Sequence, residues 1–193
     1  MSLKKINIRT VVLILMILAA AAMRLVSFKY PLVLSNFTPV GAIALFGGAY
    51  FTDKWKAYLV VLVTLFVSDA LLILLRTSDL VLWYSSYLWV YLAFAIMVFI
   101  GSLIKKANVI NVALASVAAI VVHWLITDLP WVYDTLNLYP HTLAGYGQSL
   151  IAAIPFEKNM VLGDALFCTI LFGGFELAKS KYTILRTNRE LAV

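Results

Sequence analysis

The sequence predicts an all-α integral membrane protein in which a single domain, residues 1–193, forms a bundle of six transmembrane helices. Hydrophobic residues make up 64% of the chain and charged residues 12%, whereas a soluble domain has about 45–50% apolar and about 25% charged residues. The apolar residues are grouped in long runs that are separated by polar segments. Lysine and arginine are concentrated on alternate segments, which is typical of multi-pass membrane proteins.

The first predicted helix covers about 10–28. The basic residues Lys4, Lys5 and Arg9 lie at its start, as they would in a signal peptide. No small-residue cleavage pattern follows cleanly, and Arg24 interrupts the apolar run. We therefore interpret this run as a helix of the folded protein.

The second predicted helix, about 37–52, is the one around which we expect the others to pack. Its stretch NFTPVGAIALFGGAYF contains no charged residue, and Gly41, Ala44 and Gly48 fall on one helical face. In lipid, small residues on one face let another helix approach closely. The helix is short for a hydrocarbon core that needs about 20 residues. It is therefore tilted little, begins earlier or is partly buried by its neighbours.

The remaining helices are predicted at about 57–76, 86–104, 108–126 and 159–178. The turn DKWK precedes the third helix, and Lys105 and Lys106 end the fourth. The segment 127–158 is the longest one predicted not to span the membrane, because it is rich in proline, glycine and acidic residues. Part of it, 144–154, is compatible with a short helix at the membrane interface.

The basic residues predict an orientation in the membrane. Six helices put both termini on one side, and most lysines and arginines fall there: Lys4, Lys5, Arg9, Lys54, Lys56, Lys105, Lys106, Lys179, Lys181, Arg186 and Arg189. The positive-inside rule then predicts a multi-pass protein of the bacterial cytoplasmic (inner) membrane with both termini in the cytoplasm. This topology explains the net charge of +6, so the charge does not predict a nucleic-acid partner.

Ionisable and amide side chains are predicted to gather in the outer half of the bundle, counting ~1.5 Å of rise per residue. Charged groups inside a membrane are costly, usually face the bundle interior and tend to pair. We therefore expect Arg24 to form an ion pair with Asp69 or Asp164, in one outward-facing cavity that also contains Asn36 and His123. The alternative is a structural pair that only fixes helix register. Aromatic residues surround this layer or form an interfacial belt: Trp83, Tyr84, Tyr87, Tyr91, Trp124, Trp131 and Tyr133.

Motifs for catalysis and cofactor binding are absent from the sequence. It has no G-x-S-x-G, H-E-x-x-H, Walker or dinucleotide-binding pattern, so we expect neither an enzyme nor a cofactor. Cys168 is the single cysteine, which excludes an internal disulfide. With His123 or His141 it shows no metal-ligand spacing, so no metal is predicted. One functional hypothesis that remains open is an intramembrane enzyme that uses His123 and either Asp69 or Asp164 as acid and base.

Three segments resemble a known family: NFTPVGAIALFGGAYF, the pair Ser68–Asp69, and residues 138–174 with their IPF…N…GD pattern. Together they are similar to uncharacterised six-helix bacterial membrane proteins, which are commonly described as similar to the substrate-binding S components of energy-coupling factor (ECF) transporters. The resemblance implies six helices, cytoplasmic termini and an outer substrate pocket. S components contact their coupling subunit through Ala-x-x-x-Ala on the first helix. That spacing is missing here, where Ala19 to Ala22 are consecutive.

We expect a membrane-embedded substrate-binding or uptake subunit for a small water-soluble, vitamin-like solute. Its partners would be the lipid bilayer, the solute and other membrane subunits. Arg24 would meet an anionic group, Asn36 and Asp164 would hydrogen-bond the solute, and aromatic residues would stack on a ring. The expected substrate-binding residues are Arg24, Asn36, Thr38, Asp69, His123, Asp128, Asn159 and Asp164. The alternative is a structural or accessory subunit of a larger membrane complex, in which the polar layer only locks the bundle.

Overall fold

The computed structural model describes residues 7–30, 37–77, 86–130 and 138–191, without the side chains of residues 26–28, 188 and 189. All regular structure within these ranges is helical, and no strand occurs in them. Some residues that the sequence singled out lie outside the described ranges. They are Asn36, Trp83, Tyr84, Trp131 and Tyr133.

Six main helices form the described bundle, and shorter helical pieces extend or follow them. The main helices are α1 (Ile8–Ala22), α3 (Val40–Tyr50), α4 (Lys54–Thr77), α5 (Tyr87–Ser102), α6 (Val109–Thr127) and α7 (Leu143–Cys168). The shorter pieces are α2 (Arg24–Lys29), a π-helical turn (Thr169–Gly173), α8 (Gly174–Lys181), a 3-10 turn (Thr183–Leu185) and α9 (Asn188–Leu191).

Side-chain caps determine where three of the main helices begin. Asn7, Asn108 and Thr142 precede α1, α6 and α7, and each accepts a hydrogen bond from the backbone N–H three residues further on. Each bond satisfies an N–H group that the first helical turn leaves without a partner. The cap at Thr142 is the local reason why α7 begins at Leu143.

The last helix differs from its predicted range of about 159–178. A single helical run continues from Leu143 to Lys181, so residues 144–154 belong to it and are not a separate interfacial helix. Pro155 lies inside this run. A proline removes one backbone hydrogen bond, but neighbouring groups and local adjustments make it tolerable in long apolar helices. The prolines and glycines therefore predicted a break near Pro155 that the helix does not have.

Three helices of the described part are long and apolar enough to cross a membrane. They are Lys54–Thr77, Val109–Thr127 and Leu143–Lys181, with mean hydropathy of 2.6, 2.3 and 1.6. Helix α6, for example, exposes large apolar side chains: Val109 is 85% exposed, Leu114 65% and Val117 60%. Soluble proteins rarely expose apolar patches of this kind, which mark membrane or protein contacts.

Helix α3 is the centre of the bundle, which confirms the position expected for its stretch. Ten of its eleven residues are buried, and it packs against α1, α4, α5, α6 and α7. The bundle has a His123 end, where α3 begins at Val40, and an Arg9 end, where α3 stops at Tyr50. The two ends of α3 are roughly 15 Å apart at ~1.5 Å per residue.

Candidate functional site

The NFTPVGA segment and the IPF…N…GD segment, which both contribute to the family resemblance, meet at the start of α3. Gly163 of α7 faces the backbone of Thr38, where a Cβ atom on the glycine would stand 3.0 Å from the Thr38 carbonyl oxygen. One residue on, Asp164 lies against Gly41, and a Cβ there would be 3.0 Å from Asp164 Cγ. The glycines therefore allow α7 to approach the first turn of α3 closely enough to put a carboxylate beside it.

Asp164 is completely buried, and its partners come from other helices. The Ser116 hydroxyl of α6 donates a hydrogen bond of 3.0 Å to Asp164 Oδ2, and the backbone of Ala42 also interacts with the carboxylate. His123 and Glu157 are close enough to interact with it electrostatically. Asp164 thus joins α3, α6 and α7 in one polar cluster.

A cavity of about 390 Å³ lies beside this cluster, between α6 and α7 at the His123 end. Its polar lining includes His123, Asp128, Ser149 and Glu157. His123 Nδ1 is 3.8 Å from Glu157 Oε1, which is longer than a hydrogen bond. No lysine or arginine lines the cavity in the described part of the chain, so the ionisable lining is acidic apart from the imidazole.

Three buried polar atoms of this lining have no hydrogen-bond partner among the described residues. They are His123 Nδ1, Ser149 Oγ and Glu157 Oε2. The large majority of buried polar side-chain atoms in proteins are hydrogen-bonded to protein or ordered water, and an unsatisfied one costs about 1–3 kcal/mol. The lining of this one cavity therefore contains three polar atoms whose hydrogen-bonding capacity the described residues do not use.

Hydrogen bonds between α6 and α7 hold the cavity walls in position. Trp124 Nε1 donates to the Leu150 carbonyl at 3.1 Å, and the Tyr146 hydroxyl donates to the Leu125 carbonyl at 2.6 Å. The imidazole of His123 also packs against the ring of Phe94 of α5, with 5.6 Å between ring centroids. The walls are therefore set by contacts that do not use the unsatisfied atoms.

The predicted Arg24 ion pair is present, and its partner is Asp69. Arg24 Nη2 donates to Asp69 Oδ1 at 2.6 Å, and Nη1 donates to the Ser68 hydroxyl. Both charged side chains are about 15% exposed. Tyr91 lies close enough to interact with the pair. Arg24 and Asp69 are not among the described residues that line the cavity beside His123.

The other expected site residues are distributed as follows. His123 and Asp128 line the cavity, and Asp164 lies in the adjoining cluster. Thr38 faces Gly163, and its hydroxyl accepts a bond of 3.4 Å from the Val40 N–H. Asn159 is partly buried on α7 and has an interaction of its own. Asn36 lies outside the described residues.

Sequence reasoning missed Ser149 and Glu157 as site residues. The buried residues of α7 include Ser149, Ala153, Glu157, Met160 and Asp164, a stripe with helical spacing. That spacing is visible in the sequence only when one helix is assumed to continue through Pro155. The predicted break at that proline separated Ser149 and Glu157 from Asp164.

Among the described residues, no group of three His, Cys, Asp or Glu side chains is close enough together to hold a metal ion. Cys168 is buried one turn after Asp164.

Comparison with known proteins gives a family and nothing closer. No curated protein and no solved structure matches the chain. A family model described as "Family of unknown function (DUF6580)" matches residues 4–187, which is nearly the whole chain. The protein therefore belongs to the DUF6580 family.

Proposed function

We propose that this protein is a membrane-embedded binding or uptake subunit for a small water-soluble solute. In this proposal six helices span the bacterial inner membrane, both termini are cytoplasmic, and the His123 cavity opens to the outside. The architecture would then resemble that of an ECF S component. Support comes from the apolar faces of the helices and from the one-sided distribution of lysine and arginine.

The observation that carries the proposal is the set of unsatisfied atoms around the cavity. His123 Nδ1, Ser149 Oγ and Glu157 Oε2 are buried and have no hydrogen-bond partner in the described part of the chain, beside a space of about 390 Å³. Ligand sites in proteins are clefts of about 300–1,000 Å³ with a few converging polar groups. A solute that hydrogen-bonds these atoms would remove the cost of leaving them unpaired.

The chemistry of the lining favours a solute with a positively charged, donor-rich group, such as an amine. Asp128 and Glu157 are buried acids of the lining, with exposures of 6% and 8%. An anionic group at Arg24, as the sequence predicted, would have to compete with Asp69, whose Oδ1 lies 2.6 Å from Arg24 Nη2. The rings of Tyr139 and Phe156 also line the cavity and suit an apolar part of the solute.

A structural or accessory subunit is the second candidate. The Arg24–Asp69 pair favours it, because the pair joins α2 to α4 without lining the cavity. In that case the polar groups would fix the arrangement of the helices, and the protein would be stable only with its partner subunits.

Native mass spectrometry of gently purified protein distinguishes the two candidates. We expect the wild type to carry a small molecule that is lost in Ser149→Ala and Glu157→Gln. Ser149→Ala removes a single hydroxyl, so the fold is retained, and equal melting temperatures in detergent verify this. Glu176→Gln, at the Arg9 end, is the matched control for Glu157→Gln and should keep the molecule.

Two results would contradict the solute-binding proposal. A small molecule that both cavity variants retain would show that the molecule binds elsewhere. Stable protein partners without any small molecule would favour the structural candidate.

A further inference from the structure

The Arg9 end of the bundle contains a buried arginine with an unsatisfied donor. Arg9 is only 8% exposed, and its guanidinium donates to the carbonyls of Leu185 and Tyr50, the latter at 2.9 Å. The guanidinium also lies over the Phe175 ring, 5.2 Å from its centroid. Arg9 Nε has no hydrogen-bond partner among the described residues. Glu190 already pairs with the guanidinium, at 3.8 Å between Oε2 and Arg9 Nη1, so what remains unused is the Nε donor.

A cavity of about 920 Å³ opens beside Arg9 and has a strongly basic lining. Its basic side chains come from the start of α1, the start of α4, the α5–α6 connection and α8: Arg9, Lys54, Lys105, Lys106 and Lys179. Its acids are Glu176 and Glu190. The lining therefore has a formal excess of positive charge.

Contacts inside the protein already use the two acids. Glu176 Oε1 accepts from the Tyr50 hydroxyl at 2.6 Å and from Lys179 at 2.8 Å. Glu190 accepts from Lys179 at 2.6 Å and from the Thr187 N–H at 2.7 Å. Lys105 and Lys106 also line the cavity and are exposed, and the hydrogen bonds of the two acids go to other residues. Their charge is thus available to a ligand.

An apolar groove of about 620 Å³ begins next to this cavity and runs between α6 and α7. Val109, Val112, Ile120 and Trp124 line one wall, and Ala165 and Phe172 line the other. The chain connects the groove to the basic cavity twice. Ala107 lines the cavity two residues before Val109 of the groove, and Glu176 of the cavity follows Gly173 of the groove by three residues.

We propose that the basic cavity and the apolar groove together bind an anionic phospholipid, with its phosphate at Lys105 and Lys106 and an acyl chain along the groove. Basic pockets between helices on the cytoplasmic side are suited to anionic headgroups, and the proposed topology puts the Arg9 end on that side. The groove is what favours a lipid over a free phosphate, because a soluble anion would gain nothing from a long apolar wall. The site lies at the opposite end from the His123 cavity and does not depend on the solute-binding proposal.

Titration of the reconstituted protein with single lipids, followed by native mass spectrometry, tests the proposal. We expect phosphatidylglycerol to bind and zwitterionic phosphatidylcholine to bind much more weakly. The double variant Lys105→Gln/Lys106→Gln should weaken phosphatidylglycerol binding by roughly thirtyfold, since each lysine near an anionic surface raises the affinity about five- to sixfold. Lys29→Gln/Lys158→Gln removes the same charge at the His123 end and should bind like the wild type.

A second variant separates the lipid from a free phosphate. Ala113→Phe fills the groove and should weaken phosphatidylglycerol binding while leaving the lysines in place. Inorganic phosphate at millimolar concentration should not compete with the lipid. The proposal is overturned if Ala113→Phe binds the lipid normally and phosphate competes, or if the two lysine double variants bind it equally. Unchanged melting temperatures show that each variant is folded.

Discussion

Gly48 of α3 lies against the backbone of Ser102 of α5, so closely that a Cβ atom on the glycine would stand 2.8 Å from the Ser102 nitrogen. The contact is reciprocal, because a Cβ on Gly101 would stand 2.7 Å from Leu45 Cα. Backbone cannot move aside as the end of a flexible side chain can. The two glycines therefore set the distance between the central helix and α5.

Replacing Gly48 by leucine should separate α3 from α5. Overpacking a core typically costs about 1–3 kcal/mol, and here the obstacle is backbone, so we expect the upper part of this range. The measurement is the melting temperature in detergent. Gly147→Leu is the matched control, because nothing lies within 4 Å of a Cβ there. A Gly48→Leu variant that melts like the parent would mean that this face of α3 is not packed.

Removing Arg24 should leave Asp69 as an uncompensated charge. Breaking a fully buried pair costs about 3–5 kcal/mol, and the two side chains here are 16% and 15% exposed, so we expect a somewhat smaller loss. Arg24→Ala should therefore melt earlier, and adding Asp69→Asn should recover part of the loss. Adding Asp164→Asn instead should recover none. Recovery by the Asp164 change alone would contradict the observed pairing.

Cysteine labelling in a Cys168→Ser background tests the orientation of the bundle. Ser149 would be a poor position because it is 1% exposed, whereas its neighbour Gln148 is exposed. With cytoplasmic termini, Gln148→Cys should react with a membrane-impermeant reagent in intact cells, and Asn108→Cys only after the membrane is opened. The reverse pattern would invert the proposed topology.

Acid should release the C-terminal segment from the bundle. Burial alone would raise the pKa of Glu190, but hydrogen bonds from Lys179 and Thr187 outweigh it and lower the pKa from 4.5 to about 2. Because the ionised form is the one stabilised, this contribution is complete above about pH 4.5 and is lost as the pH falls toward 2.

A spin label at the exposed Ile184 measures this release. Its mobility in the wild type should rise only as the pH falls below about 4.5. The Glu190→Gln variant should already be mobile at neutral pH, with Glu157→Gln as the control that keeps the wild-type behaviour. If the mobility of the label changes neither with pH nor with the Glu190→Gln substitution, this carboxylate does not hold the C-terminal segment on the bundle.

The continuity of α7 shows how one local signal misled the sequence interpretation. Pro155 and the nearby glycines predicted a loop, because proline removes a helical hydrogen bond wherever it stands. Whether that loss breaks a helix depends on the surrounding packing, which Ala153, Glu157 and Met160 provide through their buried positions. Ser149 and Glu157 were missed as site residues for this reason.

The sequence by itself determined the apolar helices, the central position of the Gly41–Gly48 stretch and the similar depth of Arg24 and Asp69 along the bundle. Hydropathy, helical period and rise per residue are properties of single segments, so they can be read along the chain. Only the tertiary structure decided that Arg24 pairs with Asp69, while Asp164 bonds Ser116 and lies against Gly41. Depth gives one coordinate of a side chain. Its partner depends also on how each helix is rotated about its axis and which helix stands beside it, and the packing of the whole bundle sets both.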